Sequence, residues 1–412
     1  MRYDCIVIGG GASGMVAAIF AARRGLKTAI IEHRERLGKK ILATGNGKCN
    51  YTNQVQRPDC YRGTHPEFAM AVLRRFDVEK TIAFFQSLGI YPKVRNGYVY
   101  PNSEQAAAVA DVLAMELKRL KVEVFLKEHV LNIEREGHEF LLRTEEKKDY
   151  CCSKVIVAAG GLAAPKQGSD GSGLKMLRRL GHTIVEPFPA LVQLRAEGRF
   201  LKQVSGVRID AKGELFSEGR KVTGEIGEFL FTDYGVSGIP VFQMSRYAVE
   251  SVMQGRKTQL LLDFFPHMSE NELQILWYER IRYGEGKTAV ELFTGLLNNK
   301  LSNALITEMK LSPQIPAKKL SNQENSKILK RLKCFPITIT GSNGFENAQV
   351  SAGGICTEEV NPDTMESKLV KGLYLTGEIL DIDGTCGGYN LQWAWTTGAV
   401  AGGQVVKERR DR

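Results

Sequence analysis

Residues 4–32 read DCIVIGGGASGMVAAIFAARRGLKTAIIE, and this stretch decides the fold. A short apolar strand at 5–8 runs into glycines; an alanine-rich helix at 15–24, apolar on all sides, follows; 27–31 is a second strand. A helix that is apolar all round covers a sheet. Gly9, Gly11 and Gly14 stand in the G-x-G-x-x-G spacing. The first permits a tight turn, the second lets backbone approach a pyrophosphate, and the third lets the helix pack on the strand. Phosphate then sits on the helix N-terminus, where unpaired N–H groups and the dipole favour negative charge. Glu32 closes the second strand where ribose hydroxyls need an acceptor. The fold class that follows is α/β, built on a Rossmann-like dinucleotide-binding domain.

An acidic residue at that strand end suits NAD and FAD alike, so the choice comes from further along. Residues 33–50, HRERLGKKILATGNGKCN, carry Arg36, Gly38, Lys40, Gly45, Asn46, Gly47, Cys49 and Asn50 where a plain dehydrogenase would enter its next helix. Glycines and short polar side chains there describe a loop laid against a large planar ligand. SKVIVAAGGLAAP, 153–165, is another buried strand running into Gly160 and Gly161, as expected where the carboxyl edge of a sheet faces a ligand. The glycines at 168, 171 and 173 precede an amphipathic helix. Near the end, GLYLTGE, 372–378, is a strand closing on Thr376, Gly377 and Glu378, and 388–406 is helical with small residues at 394, 398 and 399 for close packing. Acidic side chains at this strand end suit sugar or ribityl hydroxyls. The helix N-terminus near Gly388 suits the pyrimidine edge of a flavin, where it would stabilise negative charge.

The segments RLGKKILATGNGKCN (36–50), GEFLFTDYGVSG (227–238), TMESK (364–368) and GEILDIDGTCGGYN (377–390) resemble those of the HI0933-like flavoproteins, bacterial FAD enzymes of the two-dinucleotide-binding type. The resemblance covers essentially the whole chain. It implies an FAD site built from both chain ends by Gly9, Gly11, Ala12, Ser13, Gly14, Glu32, Lys40, Asn46, Gly47, Cys49, Asn50, Val130, Gly160, Gly377, Glu378, Asp381, Gly388, Asn390 and Leu391, with 349–354 close to the flavin. Relatives usually carry Arg, Thr, Ser and Pro where Lys48, Ala159, Ala163 and Ile239 stand; the second and third differences remove hydroxyls from the presumed flavin edge.

The expected plan is an FAD-binding domain made of 1–189 and 335–412, interrupted by a substrate cap at 190–334. Its first part, 190–266, has short alternating runs such as EFLFT and QLLLDFF and reads as a small β-barrel or sandwich; 267–334 reads as helical. Ser269/Glu272, Thr288/Glu291 and Ser321/Glu324 match the capping-box spacing.

Composition fits a soluble globular protein of 412 residues, with 42 glycines as its one excess. The net charge of +10 is scattered, without basic runs interleaved with aromatics, and reads as a solvated basic surface, so nucleic acid is not expected; an anionic, apolar small-molecule substrate is what the family resemblance implies. Eight cysteines without a C-x-x-C pair and six scattered histidines give no metal site. No run approaches the ~18 apolar residues of a membrane span. A reducing cytoplasm follows from the free thiols. Tyr234 and Tyr389 are candidate proton donors; Cys386 would form a redox dithiol with Cys49 only if the two were adjacent. Family members include a bile-acid 3-oxo-Δ4 reductase and an aminoacetone oxidase. The expected reaction is therefore reduction of a conjugated enone, with NAD(P)H as electron donor to FAD. A flavin amine oxidase and a tRNA-binding flavoprotein are the alternatives.

Overall fold

The computed structural model describes residues 2–406. Its contacts divide the chain into one unit made of the segment up to Pro189 and the segment from Gln349 onward, and a second unit, Ala190–Ala348.

In the first unit, strand Arg2–Ile8 has Cys5, Ile6 and Val7 fully buried, as a strand covered on both faces must be. It pairs in parallel with Thr28–Glu32 on one side, Ile8 opposite Ile31, and with Asp149–Val157 on the other, Ile8 opposite Val157. Thr28–Glu32 pairs in turn with Glu123–Leu126. The nine-residue strand Asp149–Val157 serves two neighbours. Asp149 to Cys152 pair antiparallel with Glu139–Thr144, itself in a hairpin with Val130–Glu136, whereas Val155 to Val157 pair in parallel with Leu373–Leu375. The sheet order is thus 123–126, 28–32, 2–8, 149–157, 139–144, 130–136, with 373–375 added to the long strand. Three parallel strands, ending at Ile8, Val157 and Leu375, deliver glycine-rich turns to one carboxyl edge.

Helix Ala12–Arg23 and the last helix, Tyr389–Gln404, pack backbone to backbone. A Cβ at Gly398 would lie 2.4 Å from the Ser13 carbonyl oxygen, and one at Gly402 would lie 2.2 Å from that of Ala17. Two glycines one turn apart therefore bring the C-terminal helix onto the N-terminal one, and any side chain there would part them.

In the second unit six strands close a barrel in the order Leu194–Ala196, Gly235–Ser237, Arg220–Phe231, Arg208–Ser217, Thr258–Asp263, Phe335–Ser342. The expected end of the insertion at 334 needs correction. Phe335–Ser342 pairs with Thr258–Asp263, Leu260 opposite Ile337, and with Leu194–Ala196, so it closes the barrel instead of opening the return path. A barrel cannot close without a partner for both edge strands, and that requirement reaches across the helical segment between them. Two of the three capping boxes start real helices, Glu270–Tyr283 and Asn322–Lys333. At Thr288 the bonds form, with the Thr288 N–H donating to Glu291 Oε2 at 2.7 Å, but only the short turn Glu291–Phe293 follows. No helix among the described residues is long and apolar enough to cross a membrane.

Candidate active site

The carboxyl edge of the first unit's sheet opens into a cavity of about 1210 Å³, open solvent at its mouth included. Its lining comes from the first glycine turn, the end of the second strand, residues 36–44, the turn after Val157, and the start of the last helix. Gly9 has φ +98°, and a Cβ there would lie 2.5 Å from the Ala158 carbonyl oxygen, so the two strand-end turns touch through backbone. Gly11 differs: a Cβ on it would meet nothing within 4 Å. It caps the helix Ala12–Arg23 with its bare face to open space, which is the form of a pyrophosphate cradle.

Glu32 is buried, and both of its oxygens are anchored: Oε2 accepts from the Gly10 N–H and Oε1 from the Arg34 N–H, each at 2.7 Å. A carboxylate has roughly four acceptor positions, so about two remain for donors of a ligand. Opposite, Lys40 Nζ donates to Glu378 Oε2 at 2.7 Å and to the Ala163 carbonyl at 3.1 Å. Glu378 Oε1 accepts from the Ser351 N–H at 2.7 Å, and Ser351 Oγ accepts from the N–H groups of Leu162 and Ala163 at 2.8 and 2.9 Å. One chain of bonds thereby fixes the loops after 157 and 375 to the loop carrying Lys40.

Of the residues singled out from the sequence, Gly9, Gly11, Ala12, Ser13, Glu32, Lys40, Val130, Gly160, Glu378, Asn390 and Leu391 line this cavity. Gly14 and Gly377 lie behind its wall: a Cβ on Gly14 would sit 1.9 Å from the Gly9 carbonyl oxygen, and one on Gly377 would sit 2.6 Å from Ser13 Oγ. Asp381 is buried with its carboxylate accepting from the Thr64 N–H at 2.8 Å. Cys49 and Asn50 are buried in the adjoining loop, whereas Asn46 and Gly47 form its exposed bend. Asn50 Oδ1 has no hydrogen-bond partner and lies 3.0 Å from the Cβ position of Gly388, which caps the last helix with φ +94°.

Tyr389 stacks edge-on against Tyr61 at 5.8 Å, and burial, reinforced by a bond with Cys60, pushes its hydroxyl well above the usual tyrosine range. Tyr234 belongs to the second unit, between strands Arg220–Phe231 and Gly235–Ser237, with its carbonyl accepting from the Ala196 N–H at 2.9 Å. Cys386 is half-buried and outside any disulfide. The Cys49 thiol is pushed up to about 12 by burial, so it stays protonated at neutral pH and is a poor nucleophile. Alkylation of the native protein at about pH 8 is expected to spare Cys49 and to label it only after denaturation, as read by peptide mass. Labelling of the native protein would contradict the burial.

The sequence reading missed the polar end of the cavity beyond Glu32. His33 and His129, 96 positions apart, lie with ring centroids 5.3 Å from each other. Asp170 Oδ2 stands 4.0 Å from His33 Nε2 and 3.8 Å from His129 Nε2. Both Nε2 atoms, and Nε of Arg34, are buried without a hydrogen-bond partner. Burial holds His33 below its ordinary pKa, against the pull of Glu32 and Asp170. No local pattern marks such a pair, because only the sheet brings the segments together. Away from this cavity, His65, Cys356 and Glu358 place ligand-type atoms within 4.8 Å of one another, a grouping their spacing in the chain conceals.

A glycine turn, a buried carboxylate at the end of the second strand and a returning C-terminal helix surround one cavity of a Rossmann-type fold, and the class to which the chain belongs is that of the flavoprotein oxidoreductases. The HI0933-like protein Rossmann domain matches residues 3–404, and the chain belongs to that family. It is 44% identical over 399 residues, 96% of this chain and 97% of the other, to a 3-dehydro-bile acid delta(4,6)-reductase of Clostridium scindens. It is 27% identical over 405 residues, 96% of each chain, to a ribosomal RNA dihydrouridine synthase of Escherichia coli. A solved 3-ketosteroid-delta4-(5alpha)-dehydrogenase from Rhodococcus jostii RHA1 aligns with TM-score 0.49 at 14% identity, covering 99% of this chain and 97% of that one.

Proposed function

We propose that this protein is an FAD-dependent reductase of a C=C bond conjugated to a ketone, acting on 3-oxo-Δ4 or Δ4,6 bile-acid-like steroids with NAD(P)H as electron donor in the cytoplasm. The observation that carries the reading is the 44% identity, along 96% of the chain, with the Clostridium scindens bile acid reductase. A dihydrouridine is a uridine with two hydrogens added across a ring C=C, so the more distant relative's name also denotes C=C reduction.

The residues present fit FAD. Gly11 turns a bare face to the cavity, Glu32 keeps free acceptor positions, and the unpartnered buried nitrogens of His33, His129 and Arg34 suit the adenosine end. FAD held there would supply hydride chemistry for the C=C bond, with its two electrons coming from NAD(P)H and the α-carbon's proton from water or a protein acid. Gly11 and the N-terminus of the Ala12–Arg23 helix would hold the pyrophosphate, and Glu32 the ribose. Lys40, held by Glu378, would set a fixed N–H donor in the wall. The start of the last helix, at Asn390 and Leu391, would favour negative charge on the ring beside it.

The test is a visible spectrum of the purified protein, anaerobic titration with NADH and NADPH, and turnover of a 3-oxo-Δ4 bile acid. Loss of the enone absorbance with reduced protein supports the reading; no loss removes it. Substrate-dependent peroxide from an amino-ketone would point instead to an oxidase. A second reading, reduction of a base in RNA, is favoured by the 27% identity, and predicts salt-sensitive retardation of ribosomal RNA.

A further inference from the structure

Strands Pro92–Arg95 and Tyr98–Pro101 form a hairpin joined by Asn96 and Gly97, both with positive φ, at 50° and 85°. In an antiparallel pair, directly opposed residues share a face, and so do residues two apart. Lys93 opposes Tyr100 and Arg95 opposes Tyr98, so two cations and two tyrosines share one face, while Val99, fully buried, holds the other face to the protein.

This face is anchored beside the flavin-site loops. A Cβ on Gly387 would lie 2.8 Å from the Tyr98 ring, and one on Gly45 would lie 3.8 Å from the Tyr100 ring. Those glycines lie just ahead of Gly388 and of the 46–50 loop, respectively. At the far side three cations converge on one carboxylate: Lys48 Nζ reaches Glu104 at 3.1 Å, Lys93 Nζ at 2.6 Å and Arg95 at 2.5 Å. Hydrogen bonds from Lys93 and then Lys48 hold Glu104 down to about 2, so it stays charged at neutral pH and two positive charges are left over.

We propose that this face, Tyr98 and Tyr100 with Lys48, Lys93 and Arg95, docks the anionic end of the substrate, the tyrosines under its apolar body and the surplus cations on its carboxylate. The inference rests on the steroid-acid reading above and assigns residues to it. A surplus gathered about a single glutamate suits one carboxylate better than a row of phosphates, which would want its cations strung along the face.

The experiment is equilibrium binding of a 3-oxo-Δ4 bile acid, and of a 3-oxo-Δ4 steroid lacking the acid, to the flavin-loaded protein and to Lys93→Ala/Arg95→Ala and Arg95→Glu variants. Turnover of both ligands is followed in parallel. The expected result is that the preference for the acid, in Kd and in kcat/KM, falls roughly tenfold in the double variant and further on charge reversal, with flavin content retained. Raised salt should erode the parent's preference in the same direction. An unchanged preference overturns the inference, as does an equal loss for both ligands. So does retardation of single-stranded RNA that the double variant abolishes while acid binding persists. Binding without turnover of either ligand would remove the reductase reading alone, since the docking face is read from affinity.

Discussion

Gly14→Ala is expected to cost the protein both stability and flavin, whereas Gly11→Ala, three residues earlier in the same motif, is expected to cost flavin alone. The difference is steric. A Cβ on Gly14 would lie 1.9 Å from the Gly9 carbonyl oxygen and 3.1 Å from Ala158 Cβ. Neither neighbour is free to move. The Gly9 N–H is bonded to the Ile31 carbonyl at 2.8 Å, and the Ala158 N–H to that of Ile8 at 2.8 Å, so both are tied into the sheet. Overpacking of this kind costs about 1–3 kcal/mol and sometimes more, against a gain of about 1 kcal/mol from replacing a helical glycine by alanine. The loss wins, and the helix must slide off the turn whose N–H groups would receive the phosphates. At Gly11 a methyl meets nothing within 4 Å, and its φ of −79° is open to any residue. Alanine there leaves the apoprotein within about 1 kcal/mol of the parent. It projects into the cradle, however, and a loss of contact worth about 1.4 kcal/mol is tenfold in affinity. Denaturation midpoints of the apoproteins and flavin-to-protein absorbance ratios of the purified variants read the two effects apart. Equal stability losses at 11 and 14 would sink this account of the motif.

That contrast marks how far the sequence was legible. The strand, glycine turn and helix at the N-terminus announce themselves because backbone conformation writes them locally: Gly9 needs its positive φ, and Gly14 its missing Cβ. Of the small residues of the last helix, Gly398 was legible for the same reason and meets the Ser13 carbonyl, whereas Gly402, which meets that of Ala17, did not stand out from the sequence. Closure of the barrel was not. Phe335–Ser342 alternates like any strand, and its place beside Leu194–Ala196 is decided by which edges remain unpaired after some 140 residues have folded. At Thr288 the cap chemistry was right and the helix absent, because a capping box offers a start without the following residues having to continue. The polar end of the cavity escaped for a third reason. His33 and His129 belong to different strand ends, and nothing local tells a histidine that another will stand beside it.

Glu32→Gln is expected to release the cofactor more completely than any other single change in the wall of the cavity. The carboxylate takes the Gly10 N–H on one oxygen and the Arg34 N–H on the other, both at 2.7 Å, so it shapes the glycine turn, and in the proposed function it also offers acceptors to a ribose. An amide keeps one acceptor and turns an NH2 toward the second backbone donor. One buried N–H then loses its partner, and the remaining bonds lose their charge. Hydrogen bonds to a charged group are worth about 1.5–3 kcal/mol each, and a buried donor left unsatisfied costs about 1–3 kcal/mol. Two ribose bonds each weakened by about 1–1.5 kcal/mol put the affinity loss at about a hundredfold, since every 1.4 kcal/mol is tenfold, while the orphaned turn donor lowers the stability of the protein with or without cofactor. Glu32→Asp separates the parts: the charge remains, but the shorter side chain cannot span both N–H groups and a ligand, so an intermediate loss is expected. Flavin fluorescence titration of the apoproteins gives the order parent, Asp, Gln. An amide variant that binds FAD as tightly as the parent would show that Glu32 serves the turn alone, and the ribose acceptor would then have to be sought among His33, His129 and Asp170 at the same end of the site.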